Sequence, residues 1–505
     1  MIVSHVITSK NSHQLHDLAS TIQGDPAGHD IVYVWQDGKQ QHQARTVKDI
    51  LQIMKSKKCK PRLNSAAISF LLHNSLIPTP MTVFENVYAL GVGDRLSFSD
   101  NKKDSGINFF CDYPYFQDQS HGRSRPSEQT LLDLLCNSLT KKIKSSPVLM
   151  LSSGKDSVAL ALAIRESGFA HNIPAYTYAD PDSDYDQEAI DAQKICQKLG
   201  LRHTTIYVPK DTSTVKNSLL KFFSASSYPS CDPTTIPYVL GLHACGISNA
   251  DIIDGTRSDM SFGIMPGKKF EALYRYYDCI QGGWSSDNKL CSIVPFEHKV
   301  SKFFLSQPEV NLYRHGHFRI FETQKFYDHA METRSFWLNI YRQLKPKNII
   351  DNYGYVNDQF FAGCGIMPKI KTVAESLSSR AVLPWADQDV ADYCFNLPPE
   401  YKYDVKTRTN KILLRQMLFD KIGYDASQYG KRIFYFNASQ FIQNNIDFVK
   451  EEILECSHWN SSIEPLLNQW LDCMSFRPRF GGAILDLFMV SGWLNHAQAL
   501  KSGDL

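Results

Sequence analysis

The sequence predicts an α/β protein: a parallel sheet with helices on both faces, joined to a smaller amino-terminal α+β domain. After residue 131, short apolar runs alternate with helical patterns, and a β-α-β-α-β order implies a parallel sheet covered by helices. Before it, the polar stretch QDQSHGRSRPSEQ (117–129) carries Gly, Pro and Ser without periodicity and reads as a linker. The expected division is therefore 1–125 and 126–505. Beyond about residue 265 the chain is rich in aromatics and reads mostly as helix, as in TNKILLRQMLFDKIG (409–423) and FVKEEILECSHW (448–459).

The elements follow in order. IVYVW (31–35) is a strand candidate before the turn-like Asp37-Gly38, and SAAISFLLHNSL (65–76) is an apolar helix ending before Pro78. LLDLLCNSLTKKI (131–143) is a helix, PVLMLS a short buried strand, and VALALAIRESG a helix stopped by Gly168 at the usual glycine position. IPAYTYA (173–179) is a strand. DQEAIDAQKICQKLG (186–200) is a helix that places Ala189, Ala192, Ile195, Cys196 and Leu199 on one face. HTTIYVP (203–209) and NADIIDGT (249–256) supply two more strands.

Bulk properties exclude several classes. A chain of 505 residues suggests two to four domains. A net charge of +2 gives no field that selects nucleic acid or a membrane surface, and the basic run at 55–62 reads as a solvated loop or helix end, with an anionic partner as the alternative. No apolar run reaches the roughly 18 residues of a spanning helix, and the first twenty residues lack the apolar core of a signal peptide. The 12 cysteines include no Cys-x-x-Cys pair, so reduced thiols in a cytoplasmic protein are expected. His315-Gly316-His317 lacks a third ligand at zinc spacing.

The stretch Met150-Leu151-Ser152-Ser153-Gly154-Lys155-Asp156-Ser157 joins a strand to a helix. A Walker A loop is excluded, since Leu149 stands at the first glycine and Asp156 at the Ser/Thr. A dinucleotide fingerprint at Gly91-Val92-Gly93 fails at Leu96. What remains is a tight turn at Gly154 into a helix whose free N–H groups and dipole favour an anion. Ser152, Ser153 and Ser157 would add hydroxyl donors. Asp156 would repel bare phosphate, and fits only if it holds a magnesium ion bridging the phosphates.

The stretch matches S-[GS]-G-x-D-S throughout and so resembles the PP-loop (N-type ATP pyrophosphatase) superfamily, whose fold is of the adenine nucleotide alpha hydrolase type. Asp254-Gly255-Thr256-Arg257-Ser258-Asp259-Met260-Ser261-Phe262-Gly263 resembles the G-E-G-S-D-E-x-F-G segment of asparagine synthetase-type members. VLPWADQDVADYCFNLP (382–398) is similar to the R-x-P-F-L-D segment, and Lys411-Ile412-Leu413-Leu414-Arg415 to the K-x-x-L-R helix. TVFENVYALGVGDRLSF (82–98) is similar to the close of the amidohydrolase domain. The resemblance implies that Ser152, Ser153, Gly154, Lys155, Asp156, Ser157, Gly255, Ser258 and Asp259 bind ATP, and that Asp156 and Asp259 share Mg²⁺. It implies adenylation of a small-molecule or peptide carboxylate, with release of pyrophosphate and then AMP. It gives Lys431, with Arg432 beside it as the alternative, the stabilisation of developing charge. Lactam synthetases and lasso peptide cyclases are relatives of this kind. No nucleic acid or membrane partner is implied; a partner protein or a second copy of the chain is compatible.

The sequence also departs from the family. Met1-Ile2 stands where the glutaminase would carry cysteine, so the amino-terminal domain is expected to be a shortened, inactive relative. Thr256 and Arg257 replace the glutamate and second glycine of G-E-G, and Arg380 stands where glutamate is common. These changes argue against aspartate as substrate and for a more anionic one; alternatively Arg257 reaches a phosphate. A sulfur nucleophile relayed through Cys111, and a non-catalytic nucleotide- or peptide-binding role, are the other readings.

Overall fold

The computed structural model describes residues 21–37, 40–98, 107–117, 122–179, 185–268, 271–272, 317–318, 320–344, 347–429 and 436–501. Its centre is a five-stranded, all-parallel sheet in the order Arg380–Val382, Asp251–Ile253, Pro147–Met150, Ala175–Ala179, His203–Tyr207. The first of these strands in the chain, Pro147–Met150, is the middle one. The next two are laid down on one side of it and the last two on the other. The order therefore reverses between Pro147–Met150 and Asp251–Ile253, and the carboxyl ends at such a switch point form the ligand crevice of open α/β sheets.

Alternating side chains bury both faces of this sheet. Val148, Met150 and Ile252 join one apolar cluster, with the helices Thr212–Ala225, Thr235–Ala244 and Pro478–His496. Leu149, Leu151 and Ile253 join another, with Glu128–Lys142, Lys155–Glu166 and Ile412–Ile422. The helix Lys155–Glu166 is enclosed: every residue from Val158 to Ile164 is fully buried. At roughly 1.5–3 kcal/mol for each large apolar side chain removed from water, this helix is held by its surroundings rather than by propensity. Gly168 ends it at φ +78°. The expected face of Tyr185–Leu199 is found, with Ala189, Ala192, Ile195, Cys196 and Leu199 all buried.

Towards the amino terminus lie two three-stranded antiparallel sheets. One has the order Ile22–Gln23, Asp94–Phe98, Ile107–Cys111, the other Gln40–Ala44, Val32–Asp37, Val87–Leu90. Val34, Leu90, Leu96 and Phe109 fill the space between them. Tyr33, Trp35, Val87 and Ala89, of opposite parity, turn to the helices Val47–Ser56 and Ser65–Asn74. This side does not close on itself: Phe84 meets Trp493 edge-on, with ring centroids 6.2 Å apart. The fifth strand, Arg380–Val382, was not anticipated. Its three residues begin with a charged one and carry no strand signature.

Among the described residues no helix is long and apolar enough to cross a membrane, and the ten described cysteines are free thiols.

Candidate active site

The loop between Pro147–Met150 and the helix Lys155–Glu166 is tied mainly by its own hydroxyls. The Ser157 hydroxyl oxygen receives the Ser152 N–H at 3.1 Å and lies 2.9 and 3.0 Å from the carbonyl oxygens of Ser152 and Gly154. Ser152 Oγ receives the Gly154 N–H at 3.2 Å. The chain bends at Ser153 and Gly154 into the helix, as expected, but Gly154 itself sits at φ −70° and ψ 139°, a conformation open to any residue. What the missing Cβ provides is room, because one would sit 3.1 Å from Ser152 Oγ. Both Ser153 donors, N–H and Oγ–H, go to the carboxylate of buried Glu188. Tyr424 Oη donates to Ser153 O and stacks flat on Tyr429, centroids 4.7 Å apart. Trp385 Nε1 donates to Asp156 O at 3.2 Å.

The turn after Asp251–Ile253 lies directly beside this loop. A Cβ on Gly255 would be 3.2 Å from Ser157 N and 3.4 Å from its Cα, so glycine here allows two backbones to approach. Asp254 folds the turn by accepting from Thr256 N at 2.8 Å and from Thr256 Oγ1. A five-residue helix, Ser258–Phe262, then presents Asp259.

Between the two aspartates stands Lys411. Its Nζ is 2.6 Å from Asp156 Oδ1, 2.8 Å from Asp259 Oδ1 and 2.7 Å from Ser258 Oγ. The three ammonium protons thus meet three acceptors, which is what a fully buried lysine requires. Its backbone is left-handed, φ +56°, at the start of Ile412–Ile422, a conformation uncommon outside glycine. Burial opposes the charge, but the Asp156 and Asp259 carboxylates outweigh it and hold the ammonium above its ordinary range. Nearby Lys155 behaves oppositely: burial first, then Lys411, with Arg415 adding, lowers it to about 8 against the pull of Asp156 and Asp259.

All nine residues expected at the ATP site are therefore brought together across the switch point. Asp156 and Asp259 converge on the Lys411 ammonium; two hard carboxylates side by side and 28% and 30% exposed also have the donor chemistry of Mg²⁺, which typically takes one or two carboxylates and leaves other positions to phosphate. Lys431 and Arg432 lie outside the described residues, as do His315 and Gly316. Sequence reasoning recognised the helix of Lys411 but not its reach to both aspartates, and it missed Glu188 and Tyr424, which no motif marks.

Two of the substituted positions turn away from this chemistry. Arg380 pairs with Asp251 at 2.7 Å, at the amino ends of the strands. Arg257 pairs with buried Asp358 at 2.6 Å, so it does not reach for a phosphate. The case for a more anionic substrate loses both cations. Cys111 is fully buried, and burial, with Asp94 beside it, pushes its thiol well up. That is no environment for a sulfur carrier.

A hydroxyl-laced loop at a strand's carboxyl end, with two convergent carboxylates and basic side chains at the switch point, places the candidate site where open α/β proteins bind their ligands. Residues 131–423, more than half of the chain, match the family described as "Asparagine synthase". The chain belongs to that family of ATP-dependent carbon–nitrogen ligases. No curated protein matches it.

Proposed function

We propose that this chain is a cytoplasmic, AMP- and pyrophosphate-forming amide-bond synthetase without glutaminase activity, working in specialised metabolism. Its product would be a small-molecule amide, a lactam or a peptide macrolactam. The observation that carries this reading is the convergence of Asp156 and Asp259 beside the hydroxyl-rich loop. Lys411 supplies one positive charge to two carboxylates, and an acidic pair beside a phosphate site calls for a further, divalent cation. Mg²⁺, when bound, would neutralise the phosphates and stabilise the pyrophosphate leaving group.

The chain's own residues do the rest. The first turn of Lys155–Glu166 and Lys155 face the phosphates, and Ser152, Ser153 and Ser157 set the loop's shape. Gly255 lets the Asp259 turn close against that loop, and Lys411 keeps the two aspartates together. A substrate carboxylate oxygen attacks the α-phosphorus and the bond to the bridging oxygen of pyrophosphate breaks. An amine or ammonia nitrogen then attacks the acyl carbon, AMP departs and one proton is lost. Lys431, with Arg432 as the alternative, is assigned the charge that develops in these steps. The part before residue 126, as a shortened glutaminase-like domain, is assigned a structural role or the docking of a substrate or partner.

The test is nucleotide product analysis. The protein is incubated with ATP, magnesium and cell metabolites split into small molecules and peptides, beside an Asp156→Ala control. AMP and pyrophosphate in one fraction, absent in the control, is the expected result and gives the substrate's size class. ADP as the only product would overturn the proposal.

A further inference from the structure

The turn that carries Asp259 is anchored outside the parallel sheet. Arg257, two residues before Asp259, is left-handed at φ +85°. Its guanidinium leaves the phosphate loop and runs towards the amino-terminal residues. Nη2 lies 2.6 Å from Asp358 Oδ1, the two side chains being 4% and 0% exposed. The approach is a charge contact rather than an aligned hydrogen bond. Nη1 is 3.4 Å from Met367 Sδ. The other Asp358 oxygen receives Tyr113 Oη at 2.6 Å. On the far side, a Cβ on Gly28 would sit 1.8 Å from Arg257 Nη1, so only glycine leaves space for the guanidinium. The same stretch is held twice more, by Lys371 Nζ on His29 O at 2.5 Å and by Leu383 N–H towards His29 Nε2 at 3.5 Å.

The helix Ser258–Phe262 has five residues and no side-chain cap. It is too short to hold its own geometry, so its place depends on what grips its ends. At the far end Phe262 is buried against Trp385. At the near end Lys411 Nζ holds Ser258 Oγ and Asp259 Oδ1 at 2.7 and 2.8 Å, and Arg257 holds the backbone just before them. A buried ion pair tolerates little displacement, because a charge left without its partner in a dry site is costly.

We infer that Arg257 is a positioning residue. Through Asp358, Tyr113 and Gly28 it fixes the Asp259 carboxylate opposite Asp156, and so makes residues before 126 part of the frame of the nucleotide site. This rests on the reading of Asp156 and Asp259 as the magnesium pair.

The experiment is calorimetry on the full chain with α,β-methylene-ATP, with and without Mn²⁺. The metal is expected to tighten nucleotide binding in the unaltered chain, and Asp156→Asn to abolish that gain. The Arg257→Gly/Asp358→Asn double variant removes both charges and suits the left-handed backbone. It is expected to lose at least tenfold of the metal-dependent gain while metal-free binding stays within twofold. Arg257→Lys, which keeps a cation, is expected to recover most of it. If the double variant retains the full gain while Asp156→Asn loses it, the positioning role is overturned and the magnesium reading stands. Equal loss with and without metal also overturns it, as general damage. If Asp156→Asn changes nothing, the magnesium reading fails and takes the inference with it. Should the double variant lose its thermal unfolding transition, Tyr113→Phe decides: about a threefold loss of the metal-dependent gain supports the role, and no change overturns it.

Discussion

The strand Asp251–Ile253 is associated with an aspartate–cation cluster near each end, and the two are built in opposite ways. At its amino end Asp251 is wholly buried and its cation, Arg380, is about half exposed (47%). The carboxylate accepts from Lys144 N at 2.5 Å, Ser145 N at 2.9 Å, and Arg380 Nε and Nη2 at 2.9 and 2.7 Å. Beyond its carboxyl end the cation, Lys411, is wholly buried, while Asp156 and Asp259 are 28% and 30% exposed. A buried carboxylate with its acceptor sites filled is a lock. A buried ammonium under two carboxylates that solvent still reaches is a counter-charge, leaving the acidic pair open to a second cation. On the function proposed, burial of one partner or the other, not the presence of an ion pair, separates structure from chemistry here.

Substitutions at the two clusters should therefore behave differently. The largest effect is expected at Asp259→Asn. ATP consumption in the responsive metabolite fraction falls by about 100-fold or more, in line with the loss of a ligand to a catalytic metal. Turnover within threefold of the unaltered chain would remove Asp259 from the site. Next comes Lys411→Met, which takes the positive charge from between the carboxylates. Paramagnetic titration with Mn²⁺, without nucleotide, should show about tenfold tighter metal binding, worth about 1.4 kcal/mol, together with lower ATP turnover. Unchanged metal affinity would mean that the ammonium and the metal do not compete.

At the other end the readout changes from activity to stability. Asp251→Asn is expected to cost about 2 kcal/mol, discounted for the exposure of Arg380, and to leave nucleotide binding as it was. Urea unfolding measures the first and calorimetry the second; a change in nucleotide binding would break the contrast. This cluster also carries a pH signature. Burial tends to raise the Asp251 carboxyl, but the Lys144 and Ser145 amides and the Arg380 guanidinium outweigh it and hold it below its usual 3.8. A lowered carboxyl stabilises the fold above the unfolded value and loses that contribution as pH falls through the folded one. The stability gap between the unaltered chain and Asp251→Asn should accordingly be full at pH 6 and shrink below about pH 4. A gap that widens with acid would reverse the assignment. The smallest effect is expected at Tyr424→Phe, which deletes one hydrogen bond to Ser153 O. About 1 kcal/mol of stability and less than tenfold in turnover should be lost, as read from paired melting and product assays.

What could be read from the sequence was what neighbours in the chain decide. The loop at 152–157, the buried helix after it and the left-handed Gly168 are local consequences of residue type, and they stand. The strand Arg380–Val382 escaped notice because three residues cannot show a period. Gly154 sits in the expected bend, but at a negative φ; its glycine serves close approach rather than left-handed geometry. Arg257 and Arg380 read as cations for a substrate because their partners, Asp358 and Asp251, are distant or unmarked in the sequence. Lys411 lay inside a recognisable K-x-x-L-R segment, yet its joint hold on Asp156 and Asp259 appears only once two loops from different strands are side by side.

The edge-on contact of Phe84 with Trp493 has a consequence for how the molecule is made. The two rings are separated by about four hundred residues, which at ~5–20 residues per second take a ribosome roughly 20–80 s to produce. Throughout that interval Phe84 and the face of Ser65–Asn74 that meets Pro478–His496 wait for that helix to cover them. A chain interrupted during translation leaves that face bare, so chaperone demand should track elongation speed across the later half of the message.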